Sequence, residues 1–178
     1  GDLGIEAPLE SLPTEQKRII TACRQAGKPV VVATQMLDSM VNYPTPTRAE
    51  ASDVATAIYD GADAVMLSAE TAMGEYPIQA VDMMSKIAHN IESDLDISNF
   101  NRNIFNSTAQ IIHDNYIAIC HAAYSISTTL DIKVITVLTD SGKTAIQMAQ
   151  FRPHATIVAI TPFSKICNQL SMIWGVVP

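Results

Sequence analysis

The stretch that decides the fold is PVVVATQMLDSM, residues 29–40, in which an apolar run ends abruptly in a threonine and a glutamine. Residues 30–33 are mostly β-branched, and such a run predicts a strand that is buried on both faces. Strands of this kind are typical of parallel sheets that helices cover on both sides. The polar residues that follow it, Thr34 and Gln35, therefore mark the carboxyl end of a buried strand, where loops between strands and helices begin.

The same pattern recurs along the first half of the chain. Helices are predicted from Leu12 to Gly27, from Arg48 to about Tyr59 and from Tyr76 to about Glu92, with a short loop after Gly4 and a strand at 64–67. The polar residues that end successive strands are Asp2, Thr34 and Ser68, each about one βα unit apart. A single threonine at a strand end could simply satisfy a turn. Three polar residues at strand ends, regularly spaced, instead favour the last three strands of a (β/α)8 barrel, whose active sites lie at the carboxyl ends of the strands.

The second half of the chain predicts a different α/β sheet. Residues 93–106 are rich in Asn, Ser and Asp and lose periodicity, which indicates a boundary. After it the sequence predicts helices at 111–130, 143–151 and 164–173, strands at 133–139 and 155–161, and the start of a further strand at 175–178. The predicted organisation is a partial barrel at 1–94, a linker at 95–106 and an incomplete open α/β domain at 107–178.

Composition excludes several classes of protein. Of the 178 residues 48% are hydrophobic and 16% charged, which is enough material for a core. The net charge of −7 argues against a general nucleic-acid binder, and no apolar run is long enough to span a bilayer. The three cysteines are widely spaced and are interpreted as reduced thiols, and the four histidines form no zinc-binding pattern.

Four motifs together point to one family. Gly-Asp-Leu-Gly at 1–4, AGKPVVVATQMLDSM at 26–40, PTPTRAEASDVA at 44–55 and DGADAVMLSAETAMGEYP at 60–77 closely resemble pyruvate kinase over residues 1–92. The combination of ATQMLDSM with a downstream PTRAE is highly specific. Residues 107–178 resemble the C-terminal domain of that family more loosely, through VLTDSGKTA, an Arg-Pro pair and AIT.

The resemblance implies a set of site residues. Asp2 matches the aspartate that holds the catalytic Mg²⁺ or Mn²⁺, and the backbone N–H groups of Gly1 and Asp2 match those that bind the carboxylate of phosphoenolpyruvate. Thr34 matches a threonine that contacts the same carboxylate, and Ser68 matches a serine implicated in proton transfer to the enolate. Carboxylate ligands suit Mg²⁺, and neutral hydroxyl donors orient a carboxylate without adding charge. Arg48 and Glu50 are interpreted as structural or interfacial residues.

The resemblance to pyruvate kinase also implies partners, and the sequence departs from the family pattern at two positions. The substrates would be phosphoenolpyruvate and ADP, the products pyruvate and ATP, and the intact enzyme a cytoplasmic homotetramer with no nucleic-acid or membrane partner. Ala69 stands where the family usually has glycine, and Met73 stands where lysine is common, so a positive charge near the nucleotide phosphates is lost.

The stretch TDSGKT at 139–144 is a second candidate site. A Walker phosphate loop would need glycine at position 137, which is valine, so that motif is excluded. A strand, a Ser-Gly turn and a helix start remain, which is a generic anion site. In the resemblance it matches a loop that binds the phosphate of a sugar-phosphate effector. The effector-site residues would be Thr139, Ser141, Gly142, Lys143 and Thr144. The alternative is a tight strand-to-helix turn with no ligand.

Both ends of the chain look cut, and this leads to an expectation about activity. In the family the phosphoryl-binding lysine, the glutamate that is the second metal ligand, the K⁺ site and the lid domain precede the motif that here begins at Gly1. We therefore expect an inactive fragment of the enzyme. A non-catalytic module for oligomerisation and effector binding is the alternative, and a stand-alone phosphate-binding α/β protein is a third hypothesis that the valine at 137 disfavours.

Overall fold

A computed structural model describes residues 3–94 and 115–178. The chain divides into two compact units. The first comprises the described residues of Gly1–Cys23 and Val30–Leu95, and the second those of Arg24–Pro29 and Asp96–Pro178. The predicted linker at 95–106 and the beginning of the helix predicted at 111 lie outside the described residues, so the predicted boundary stays a prediction.

The first unit is built on two parallel strands with a helical crossover between them. Its elements in chain order are α1 (Leu3–Glu6), a 3₁₀ turn (Leu9–Ser11), α2 (Leu12–Gln25), β1 (Val31–Ala33), a second 3₁₀ turn (Asp38–Val41), α3 (Arg48–Asp60), β2 (Ala64–Met66), α4 (Ala69–Ala72) and α5 (Pro77–Asp94). Strand β1 pairs with β2 so that Val31 lies opposite Ala64 and Ala33 opposite Met66. The unit β1–α3–β2 is therefore the parallel βαβ arrangement that the sequence predicts.

Helix α3 shows how local sequence fixes the limits of an element. Thr47 caps its first turn by accepting the N–H of Glu50, and the Glu50 side chain accepts the N–H of Thr47 in return, which makes a capping box. Gly61 ends the helix with φ of 95°, a left-handed conformation that costs glycine no steric penalty. The predicted limits of this helix are confirmed within a residue.

Two expectations for the first unit are wrong. The chain after Gly4 is helical in α1, because a single turn of four residues is too short to give a detectable period. Strand β1 is not buried on both faces: Val31 is 40% exposed, and the rest of the strand is half-buried. Within the described residues β1 pairs only with β2, so one edge of the strand has no neighbouring strand to cover it.

The core of the first unit lies between the loop that follows β1 and the two long helices. Its buried members are Met36, Leu37, Met40, Val54, Ala80 and Met84. Half of these residues come from the segment 36–40, which leads into the second 3₁₀ turn. Apolar burial therefore holds this loop against α3 and α5, at roughly 1.5–3 kcal/mol for each large side chain.

The second unit is an open sheet of three parallel strands. Its elements are α6 (Asn115–Thr129), β3 (Val134–Leu138), α7 (Lys143–Gln150), β4 (Thr156–Ile160), α8 (Ser164–Leu170) and β5 (Val176–Val177), and the strand order is β3-β4-β5. Val134 pairs with Thr156 and Ile157 with Val176. The predicted open α/β sheet is confirmed, and the strand expected after Gly175 is present. Helix α8 ends at Leu170, three residues before its predicted end.

Helix α5 carries charge on its exposed face. In this helix of 18 residues, the longest of those that the structure describes, Lys86 pairs with Asp82 one turn earlier at 2.6 Å. Such exposed pairs contribute only a few tenths of a kcal/mol to stability but keep the outer face polar. In the ranges 3–94 and 115–178, no helix has both the length and the apolar character that a membrane span requires.

Candidate functional site

The carboxyl ends of β1 and β2 form one edge of the first unit. Thr34 directly follows β1, and Ser68 lies two residues after β2. Because the strands are parallel and Ala33 is paired with Met66, both loops leave the sheet on the same side. The structure therefore brings Thr34 and Ser68 to a common edge, as the sequence predicts. Gly1 and Asp2, the other two members of the predicted site, lie outside the described residues.

Thr34 has an unusual backbone conformation. Its φ is 71°, and that of Gln35 is 56°, so two consecutive non-glycine residues are left-handed. This region is disfavoured for β-branched side chains and costs about 1–3 kcal/mol per residue. The Oγ1 hydroxyl of Thr34 donates to the carbonyl of Ala33 at 2.5 Å. The chain thus turns sharply at the end of β1, and strained residues of this kind cluster at functional sites.

The hydroxyl of Ser68 is buried and unpaired. Among the described residues its Oγ has no hydrogen-bond partner, while its N–H donates to Oε2 of Glu70 at 2.7 Å. A buried hydroxyl without a partner costs free energy, so such groups are rare in folded proteins outside sites that receive a ligand or water. Ser68 therefore presents a hydroxyl that is ready to bond to another group.

Glu70 is a member of this edge that sequence reasoning missed. Its side chain is 1% exposed, and its two carboxylate oxygens accept from different loops. Oε1 accepts the N–H of Leu37 at 3.1 Å, and Oε2 accepts the N–H of Ser68 at 2.7 Å. The only sequence signal was an acidic residue among small ones in SAETA, two residues after a strand-end serine. The carboxylate links the loop after β1 to the loop after β2.

Glu50 holds the same loop from the other side. Its carboxylate accepts the N–H and the hydroxyl of Ser39 at 2.7 and 2.6 Å, and the N–H and the hydroxyl of Thr47 at 2.7 and 2.9 Å. Burial of the carboxylate acts most strongly and by itself raises the pKa, but the bonds from Ser39 and Thr47 together outweigh it, so the pKa of Glu50 lies below its ordinary value of 4.5. Of the two interpretations of Glu50, structural or interfacial, these bonds support the structural one.

The lowered pKa of Glu50 predicts a specific acid sensitivity. A group whose pKa is lower in the folded state adds stability above its unfolded pKa, and this stability is lost as the pH falls through the folded pKa. We expect urea unfolding of the chain to show a loss of stability below pH 4.5 that is smaller in Glu50→Gln. Equal pH dependence of the two proteins between pH 5 and about 3 would contradict the assignment.

A metal site cannot be assembled from the described side chains alone. In residues 3–94 and 115–178 no group of three or more His, Cys, Asp and Glu side chains could hold a metal ion. The predicted ligand Asp2 is not among them. The carboxylate of Glu70 at this edge is taken up by the N–H groups of Leu37 and Ser68, so a fit to Mg²⁺ rests on Asp2.

An open groove leads to Thr34. It has a volume of about 630 Å³ and lies between β1 and α2, with Leu12 and Gln16 on one side and Thr34 and Gln35 on the other. Most of its surface is apolar apart from the strand end. Thr34 is thus accessible from the groove, while Ser68 does not line it.

The loop at 139–144 is a tight turn from β3 to α7. The hydroxyl of Thr139, which is buried, accepts the N–H of Gly142 at 2.9 Å. Gly142 has φ of 79°, and a Cβ there would lie 3.2 Å from Leu170. These two residues therefore serve the turn. Ser141 and Lys143 are exposed at the start of α7, where an anion could reach them, so both interpretations of this loop stay open.

The two departures from the family pattern fall in and beside α4. Ala69 is the first residue of α4, and a helical backbone accepts alanine without strain. Met73 directly follows this helix and is 79% exposed. A methionine in place of the family's lysine therefore changes the charge of the surface and not the core.

Comparison with known proteins decides the family. The sequence model described as "Pyruvate kinase, barrel domain" matches residues 1–81, and "Pyruvate kinase, alpha/beta domain" matches residues 117–178. The chain belongs to the pyruvate kinase family. The matched regions contain, respectively, the edge of β1 and β2 and the sheet of β3, β4 and β5, so both the resemblance and the predicted fold class are confirmed.

Pyruvate kinases of several organisms are similar to the whole chain. One from Agrobacterium vitis is 52% identical over 178 residues, which cover 99% of this chain and 37% of the relative. One from Clostridium acetobutylicum is 44% identical over 182 residues, covering 100% and 37%. The crystal structure of a pyruvate kinase from Cryptosporidium parvum superposes with a TM-score of 0.92 at 39% identity, covering 99% of this chain and 35% of that one. The chain thus spans little more than a third of the length of these relatives.

Proposed function

We propose that this chain is part of an enzyme that transfers the phosphoryl group of phosphoenolpyruvate to ADP, giving pyruvate and ATP in glycolysis. The observation that carries the proposal is the edge of the first unit, where a strained threonine and a serine with an unpaired buried hydroxyl follow adjacent parallel strands. This edge lies in the region that matches the family's barrel domain. Active sites of such barrels lie at the carboxyl ends of the strands.

The proposed roles follow from the donors at the edge. The hydroxyl of Thr34, which donates to the carbonyl of Ala33, would turn to the substrate carboxylate, together with the N–H groups of Gly1 and Asp2. Because these donors are neutral, they orient the carboxylate without adding charge to the site. The unpaired hydroxyl of Ser68 would relay a proton from water to the methylene carbon of the enolate, accepting one proton as it gives up another.

The metal and the nucleotide complete the proposal. Mg²⁺ or Mn²⁺, held in part by the carboxylate of Asp2, supplies charge stabilisation for phosphoryl transfer when bound. K⁺ would act in the intact enzyme at a site outside this chain. We further propose that the intact protein is a cytoplasmic homotetramer and that these 178 residues alone do not turn over substrate.

The proposal is tested with the chain alone and with a chimera. The chain should give no ATP from phosphoenolpyruvate and ADP in the presence of Mg²⁺ and K⁺. A chimera in which it replaces the matching segment of the 52% identical Agrobacterium vitis protein should be active. Clear turnover by the chain alone would contradict its inactivity, and an inactive but folded chimera would contradict the proposed function.

Variants of the chimera test the role of Thr34. Thr34→Val keeps the branched shape but removes the hydroxyl, and we expect kcat/KM for phosphoenolpyruvate to fall about 10- to 100-fold, the usual worth of a hydrogen bond to a charged group. Thr128→Val is the matched control, since the hydroxyl of Thr128 donates to the carbonyl of Tyr124 within α6 and lies in the second unit. An equal effect of both variants would exclude Thr34 as a substrate ligand.

A non-catalytic role in oligomerisation and effector binding is the second candidate. It is supported by Ser141 and Lys143, which are exposed at the start of α7, where the Ser141 hydroxyl accepts the N–H of Lys143 at 3.5 Å. The phosphate of a sugar-phosphate effector would bind the loop through Thr139, Ser141, Gly142, Lys143 and Thr144. Size-exclusion chromatography of the chain with and without sugar phosphates separates this role from catalysis.

A further inference from the structure

The carboxylate of Glu70 joins the two loops that carry the candidate site. Leu37, whose N–H bonds to Oε1, lies three residues after Thr34. Ser68 itself donates its N–H to Oε2. We propose that Glu70 is a positioning residue that fixes Thr34 relative to Ser68 for the reaction. The inference rests on the proposed function of those two hydroxyls.

Burial makes this link stiff. A carboxylate that is 1% exposed loses nearly all of its hydration, and such a charge is tolerated only when hydrogen bonds replace the water. In the part of the chain that the structure describes, Glu70 forms no ion pair, and its compensation comes from the two backbone donors. If either loop moved away, one carboxylate oxygen would be left buried without a donor. The two loops are therefore held at one separation.

Packing around Leu37 makes this donor rigid as well. The side chain of Leu37 is fully buried in the core of the first unit, so its N–H cannot follow a moving carboxylate. Further along both loops, the N–H of Glu75 donates to the carbonyl of Val41 at 2.8 Å. The loop after β1 and the loop after β2 are thus joined at two points. Errors of about 1 Å in the placement of reacting groups can cost on the order of 100-fold in rate, so such a brace has catalytic consequences.

A carboxylate with a purely structural role can also accept a backbone N–H from the loop after β1. Glu50 is such a carboxylate and can be compared with Glu70. Glu50 also accepts a backbone N–H from the loop after β1, at Ser39, but its other partner is Thr47 at the start of α3. It stabilises the loop without touching the loop after β2. Glu50→Gln is therefore the matched control for Glu70→Gln.

The first test uses the full chain and nuclear magnetic resonance. In ¹H–¹⁵N spectra, Glu70→Gln should shift the amide signals of Leu37 and Ser68 and also those of Thr34 and Gln35. Glu50→Gln should shift Ser39 and Thr47 and leave Ser68 unchanged. Unmoved Thr34 and Ser68 signals in Glu70→Gln would overturn the proposal. Should Glu70→Gln fail to fold, Glu70→Asp keeps the charge but shortens the reach, and the same comparison applies.

The second test uses kinetics in the active chimera. Glu70→Gln should lower kcat about 10- to 100-fold with a much smaller change in KM, since chemistry depends on the relative placement of the two hydroxyls. Glu50→Gln should stay within about 3-fold of the parent once both are compared per folded molecule. Equal losses in the two variants would reduce Glu70 to a structural role and overturn the proposal.

Failure of the proposed function can be told apart from failure of this inference. If the chimera with the unmutated 178 residues folds but is inactive, the proposed phosphoryl transfer is contradicted. The amide signals of the 178-residue chain then still decide whether Glu70 couples the two loops. Shifts of both the Thr34 and the Ser68 signals in Glu70→Gln support the proposal, and unmoved signals overturn it.

Discussion

Replacing Ile157 by alanine is expected to lower the free energy of unfolding of the second unit by about 2–5 kcal/mol. The Ile157 side chain is fully buried in strand β4. It packs in a cluster whose buried members include Val137, Ala145, Met148 and Phe151. Truncation removes three methyl or methylene groups and leaves a cavity that close-packed neighbours fill only in part.

Ile160 in the same strand is the matched control. It is the same residue type three positions later, but it is 51% exposed, so Ile160→Ala should cost less than about 1 kcal/mol. Urea unfolding followed by the fluorescence of Trp174 measures both variants, because this is the single tryptophan of the chain and it lies in the second unit. Equal losses for the two variants would contradict the assignment of Ile157 to the core.

Replacing Gly74 by alanine is expected to destabilise the first unit by about 1–3 kcal/mol. A Cβ at this position would lie 2.5 Å from the carbonyl oxygen of Glu70 and 3.2 Å from the Cα of Val41. Both are backbone atoms that cannot swing aside as a side chain can. Relief of the first contact requires a shift within α4 and the turn that follows it. Relief of the second moves this turn away from Val41, which stretches the bond between Glu75 and Val41.

Hydrogen exchange detects the effect of Gly74→Ala directly. Peptides that contain residues 36–41 should lose protection, because this segment packs against the displaced backbone. Gly4→Ala is the control: its new Cβ would meet the Cδ1 atom of Leu12 at 3.3 Å, and the end of that side chain can yield. Unchanged protection of 36–41 in Gly74→Ala would show that the two loops are not held as closely as described.

Local sequence signals predicted most of the elements and few of the contacts between them. The limits of α3 follow from a capping box and a terminal glycine, both of which are encoded within a few residues. Strands β3 and β4 follow from apolar runs bounded by turn residues. Helix α1 was missed because one turn has no period, and the exposure of β1 was missed because it depends on which strands pair beside it.

The candidate site was predicted in part for the same reason. Thr34 and Ser68 stand at strand ends and can be found by position alone. Glu70 bonds to Leu37, 33 residues earlier, and no local pattern encodes that distance. The left-handed backbone of Thr34 runs against the preference of a β-branched residue, so only the folded surroundings reveal it.

The left-handed backbone at Thr34 and Gln35 has a consequence for protein engineering. Glycine or asparagine would adopt these backbone angles at lower cost. A laboratory selection for heat resistance alone is therefore expected to yield substitutions at these two positions. At Thr34, however, the more stable variant would lack the hydroxyl that we propose binds the substrate carboxylate. Thermal robustness and turnover should therefore be selected together, because at this strand end improvement in one is bought from the other.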